Sequence, residues 1–117
     1  MFTVSGRTIR LSRGDTGVIN FSVDGVKLTD ADRAVFTVRR RTGAILLQKV
    51  IPPVDGMLYV PFTNDETDGW QPGEYVWDIR IVLDAVTDEN GKVTDGREVI
   101  TPFPPSRLDV VKVVGNV

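Results

Sequence analysis

Carboxylates are the groups in this sequence best equipped for chemistry. Asp and Glu number 16 against 14 Lys and Arg, and there is no histidine and no cysteine. The commonest general base, the commonest transition-metal ligand and every thiolate mechanism are therefore missing. Two carboxylates flanking a glycosidic bond can hydrolyse it. No spacing here brings two together in that way, and a domain of 117 residues has little room for a buried cleft. Serine and lysine occur, but neither as a Gly-x-Ser-x-Gly elbow nor as Ser-x-x-Lys. No glycine-rich phosphate loop is present. The expectation is a protein without catalytic residues.

The acidic stretch around Asp84, Asp88, Glu89, Asn90, Asp95 and Glu98 makes calcium the metal to consider. Aligning Asp88, Asn90 and Gly91 on an EF-hand loop puts Val86 at the first ligand position and Arg97 at the last. Neither can serve, and the stretch reads as a solvated loop tip with no metal or cofactor. Arg13-Gly14-Asp15 spells an adhesion tripeptide, but three residues match by chance too often to carry a function; it reads as a turn between strands. Arg39-Arg40-Arg41 is the basic cluster. Phe36, on the apolar face of the same segment, gives it no stacking platform, and a net charge of −2 does not favour nucleic acid.

Charge is uneven along the chain. Every charge from Arg33 to Lys49 is basic, namely Arg33, Arg39, Arg40, Arg41 and Lys49, whereas acids dominate from Asp65 to Asp95. Such runs are ordinarily solvated faces. Their opposite signs also suit a contact between copies. The expected contact surface comprises Arg39, Arg40, Arg41, Asp84, Asp88, Glu89, Asn90 and Asp95.

These groups must be positioned by strands. Over Glu74–Leu83, Tyr75, Trp77, Ile79, Ile81 and Leu83 alternate with Glu74, Val76, Asp78, Arg80 and Val82. A period of two over that length is a strand with one core face. Val76 and Val82 make its outer face less polar than a fully solvated one. Shorter alternations occur at Ile19–Val23, Ala34–Val38 and Leu58–Phe62. Ile45–Ile51 is too continuously apolar to assign a face. Ile9 and Leu11 suggest a first strand and Leu108–Val114 a last one. Turns are marked at Arg13-Gly14-Asp15, Asp24-Gly25, Thr42-Gly43, Asp55-Gly56 and Asn90-Gly91. Asp84–Arg97 reads as a protruding hairpin. Pro102-Phe103-Pro104-Pro105 belongs to an edge or a crossover, since its prolines donate no ladder bonds. Thr63-Asn64-Asp65-Glu66 has capping-box spacing, so one helical turn is expected after Thr63. The sum is an all-β, immunoglobulin-like sandwich of seven or eight antiparallel strands with Greek-key connections, forming one domain over residues 1–117.

Trp70-Gln71-Pro72-Gly73-Glu74-Tyr75 is the most informative string. An apolar anchor, a Pro-Gly turn and a tyrosine opening a core strand form the layout of a tyrosine corner, built here from Trp70, Pro72, Gly73 and Tyr75. Its phenol is expected to bond a backbone group upstream of the strand.

No apolar run approaches the ~20 residues that span a bilayer, and Met1–Arg7 lacks a secretory apolar region. The expectation is a protein that stays in the cytoplasm or leaves without a signal peptide, with no membrane partner.

Three strings taken in order also carry a family resemblance. They are Arg13–Phe21 leading into a strand, the pair Phe36–Arg39 and Ile45–Lys49, and Pro72–Arg80 before a glycine-marked hairpin. Their order resembles small immunoglobulin-like structural proteins of phages and prophages of Gram-positive bacteria, and most of all the N-terminal domain of baseplate upper proteins. The resemblance implies a non-enzymatic component of a tail or baseplate, assembled in the bacterial cytoplasm. It would contact other phage structural proteins or copies of itself, as a homo-oligomer. The chain ends shortly after the last expected strand, which points to a free-standing tail, baseplate or neck component. The alternative is a carbohydrate-binding or adhesion module, for which Trp70 and Tyr59 are the candidate platform residues.

Overall fold

The computed structural model describes residues 2–23 and 25–111. Asp24 of the expected Asp24-Gly25 turn, and residues 112–114 of the expected last strand, lie outside the described residues.

The chain is all-β with one short helix. In order, its elements are β1 (Thr3–Ser5), β2 (Thr8–Ser12), β3 (Gly17–Phe21), β4 (Arg33–Arg40), β5 (Ile45–Ile51), β6 (Leu58–Phe62), α1 (Asn64–Thr67), β7 (Gly73–Leu83), β8 (Val86–Thr87), β9 (Val93–Asp95) and β10 (Glu98–Val111). One sheet has six strands in the order β1-β2-β10-β7-β4-β5. β3 pairs with β6, and β8 with β9.

The main core lies between the six-stranded sheet and the β3–β6 pair. From β7 it takes Tyr75, Trp77, Ile79 and Ile81, and from β4 Ala34, Phe36 and Val38. Ile19, Phe21, Leu58, Val60 and Phe62 come from the smaller sheet. Each group alternates along its strand, as a one-face core requires. The aromatic rings join the sheets. Phe36 meets Phe62 edge-on at 5.6 Å, and Phe21 lies 5.5 Å from Trp77. Such pairs contribute about 0.5–1.5 kcal/mol beyond the area they bury. The ambiguous segment becomes β5, with Ile51 buried and Ile45 exposed.

Local chemistry sets the turns. Asp55 and Gly56 both have positive φ, 51° and 76°, while Val54 and Met57 exchange backbone hydrogen bonds of 2.8 and 2.9 Å. This is the two-residue hairpin turn that Asp-Gly favours. Thr63 caps α1 reciprocally: Glu66 N donates to Thr63 Oγ1 at 3.2 Å, and Thr63 N donates to Glu66 Oε1 at 2.8 Å.

Four features depart from the sequence expectation. First, β2 and β10 pair in parallel, so the large sheet is mixed and not wholly antiparallel. No turn joins these strands, so hairpin geometry does not fix their relative direction. Second, the described residues form ten strands, the additional ones being the short β1, β8 and β9. Third, β10 runs through the proline-rich stretch, although it lies between β2 and β7. Only its Leu108–Val111 end pairs with β2. Pro102, Pro104 and Pro105 have no register partner on either side and fall within the register shifts against β7, between Ile100 and Phe103 and between Phe103 and Ser106. They thus occupy an edge portion of an otherwise internal strand. Fourth, Asp84–Arg97 forms the β8–β9 hairpin but folds back across the outer face of the large sheet instead of protruding. Val82 on that face is 7% exposed and Thr37 is 4% exposed. Gly96 permits the close approach, because a Cβ there would overlap Val82 Cγ1.

Candidate contact surface

The corner around Tyr75 is built from the end of α1 onward. Trp70 is buried at 4% exposure and packs edge-on to Phe62 at 6.2 Å, with Tyr75 at 6.4 Å. Pro72 and Gly73 turn the chain into β7. Tyr75 Oη then donates to Gln71 O at 2.6 Å, four residues upstream. At the next core position, Trp77 Nε1 donates to Arg7 O at 2.9 Å and ties β7 to the β1–β2 turn. The corner therefore fixes the path from α1 into the central strand, with Trp70 and Tyr75 buried and Gln71, Pro72 and Gly73 exposed.

The Arg13-Gly14-Asp15 turn is held down rather than displayed. Ser12 N donates to Asp15 Oδ2 at 2.7 Å, Asn64 Nδ2 donates to Gly14 O at 2.8 Å, and Thr67 Oγ1 donates to Asp15 O at 2.9 Å.

The expected contact residues separate into two groups. Arg40 and Arg41 are exposed at the β4–β5 turn, and Arg39 Nη1 donates to Gly43 O at 3.3 Å. Asp84, Asp88, Glu89, Asn90 and Asp95 are exposed along the hairpin. Arg33 stands beside Val82 and Arg39 beside Val76 in the β4–β7 ladder. At about 3.3 Å per residue, the hairpin base and the arginine cluster lie roughly 20 Å apart along the sheet. Lys49 departs from its basic group. Its Nζ reaches both Glu66 oxygens at 2.8 Å, donates to Pro61 O, and lies 5.9 Å from the Phe62 ring centroid.

Several acids are already engaged within the hairpin. Arg97 Nε donates to Asp84 Oδ2 at 2.6 Å, and this bond holds the guanidinium pKa above its usual value. Asp88 Oδ1 accepts from Asn90 N and Lys92 N, both at 2.9 Å, and so shapes the tip. Asp95 Oδ1 accepts from Gly96 N at 2.8 Å. Among the described residues, no group of three or more acids converges as metal ligands would.

Sequence reasoning missed the groove that the folded-back hairpin creates. It has a volume of about 260 Å³, with Val35, Val50, Val82 and Val99 among its lining residues. Arg39, Arg80 and Lys92 line it too, with Asp78 as its acid. The signal for it was the outer-face Val82 on β7, together with Val93 and Val99 flanking the second half of the hairpin.

No protein-family model, curated protein or solved structure matches this chain.

Proposed function

We propose that this chain is an immunoglobulin-like sandwich acting as a non-enzymatic structural component of a phage or prophage tail or baseplate, through protein–protein contacts. The observation that carries the reading is the Tyr75 Oη to Gln71 O hydrogen bond beneath a buried Trp70. A tyrosine corner of this kind staples a crossover between sheets of immunoglobulin-like sandwiches. The ordered strings Arg13–Phe21 and Pro72–Arg80, which resemble phage baseplate domains, flank the same core. Arg40 and Arg41, exposed at the β4–β5 turn, and the exposed carboxylates of the hairpin are patches of opposite charge, and unlike patches on one subunit suit heterologous contacts. Partners are other virion proteins or copies of the chain.

The glycan-binding alternative has less support. Trp70, one of its two platform candidates, is buried under Phe62 and Tyr75. Tyr59, at 40% exposure, shares its face with Pro61 and, across the ladder, with Val18 and Asn20, none of them aromatic.

Mass spectrometry of gradient-purified particles from an induced lysate tests the proposal. Peptides of this chain are expected in the particle band at a fixed ratio to the other tail proteins. Recovery only from the unassembled fraction, or a hit on a glycan array, contradicts it.

A further inference from the structure

We infer that the groove beneath the β8–β9 hairpin receives β8 of the same hairpin from a second copy of this chain, in a head-to-tail contact. This rests on the contact-protein reading above and names one of its partners.

The groove is complementary to that strand in both apolarity and charge. Val35, Val50, Val82, Val93 and Val99 line it, together with Thr37 and Gln48. Among the described residues, Arg80 and Lys92 have no side-chain partner, and Arg39 bonds only a backbone carbonyl. With Asp78 subtracted from these three cations, the groove carries two positive charges on a chain whose net charge is −2.

The hairpin supplies the opposite pattern. Val86 and Thr87 of β8 pair with Asp95 and Val93 of β9, with a register shift between the two pairs. Val86 is 54% exposed. Asp84 and Asp88 flank it along the strand, and Asp95 is its partner across the ladder. Asp84 is neutralised by Arg97, which leaves Asp88, Asp95 and the exposed Glu89 at the tip. An exposed apolar side chain bracketed by carboxylates thus meets a groove whose valines are accompanied by cations. Burying Val86 supplies the non-directional part of the contact, while the charges fix its register and speed the encounter. The two surfaces are different patches of one chain, so the contact is heterologous and propagates.

Two surface variants separate the halves of the contact. Arg80→Glu with Lys92→Glu disables the groove and keeps the strand. Val86→Lys with Glu89→Lys disables the strand and keeps the groove. All four side chains are exposed, and cooperative thermal unfolding checks that each variant folds. In analytical ultracentrifugation, the unsubstituted chain is expected to associate. Raising ionic strength from about 0.05 M to about 0.5 M should weaken that association roughly tenfold or more. Each variant alone should sediment as a monomer, and an equimolar mixture of the two should give a dimer and nothing larger. An unsubstituted chain that stays monomeric up to millimolar concentration overturns the inference, as does a mixture that stays monomeric or variants that associate like the parent. None of these outcomes bears on whether the chain is found in particles, so the contact-protein reading stands or falls separately.

Discussion

Tyr75 does two jobs with one side chain. Its ring fills the core beside Trp70, while its hydroxyl closes the turn by donating to Gln71 O at 2.6 Å. At 6% exposure, the residue keeps that bond largely away from water. Tyr75→Phe retains the ring and removes the bond, leaving the carbonyl without this donor. The expected loss is about 1 kcal/mol, read as a lower urea midpoint with an unchanged slope. An unchanged midpoint would show that the phenol does not staple the corner. Trp77, on the same face, spends its one donor on Arg7 O, so both polar aromatic residues of β7 are satisfied inside the fold.

At the level of elements, α1 is tied to β5 by Lys49 and Glu66. Burial acts to raise the Glu66 pKa, but the hydrogen bond from Lys49 and those from Thr63 outweigh it, and the carboxyl sits below its usual value. In the unfolded chain the group returns to about 4.3. Between the two values the unfolded chain binds more protons, so stability rises with pH there. The contribution is complete above the unfolded value and disappears as pH falls through the folded one. Glu66→Gln should therefore flatten the pH dependence of unfolding free energy below about pH 5. Superimposable profiles for the two proteins would show that the pair adds nothing.

The same elements show what could be read in advance. Period-two alternation is a local property, and it located the strand at Glu74–Leu83 and the buried Tyr75, Trp77, Ile79 and Ile81, whereas Leu83, expected with them, is half-buried and the outer-face Val82 is buried. The capping box and the Asp55-Gly56 turn are equally local. The parallel pairing of β2 with β10 was not legible, because no turn records the relation between strands nearly a hundred positions apart. Nor was the folding-back of the hairpin. Val82 hinted at cover on the outer face, but the cover is Gly96, which has no side chain to announce it. The charged runs were visible as runs. That Lys49 would be used internally, while Arg80 and Lys92 would line a groove, depended on the fold.

For the molecule as a whole, the buried corner and the tethered Arg13-Gly14-Asp15 turn assign two conspicuous motifs to structure. The proposed contact surface is a groove lined by valines and cations and a hairpin edge with carboxylates. A component that works by contact should show that surface engaged where the chain does its work. Amine-reactive cross-linking of intact purified particles reads this directly, because Lys92 is exposed at the groove. The account predicts links from Lys92 to a neighbouring virion chain or to a second copy. Particles in which Lys92 is modified freely and forms links only within its own chain would contradict it.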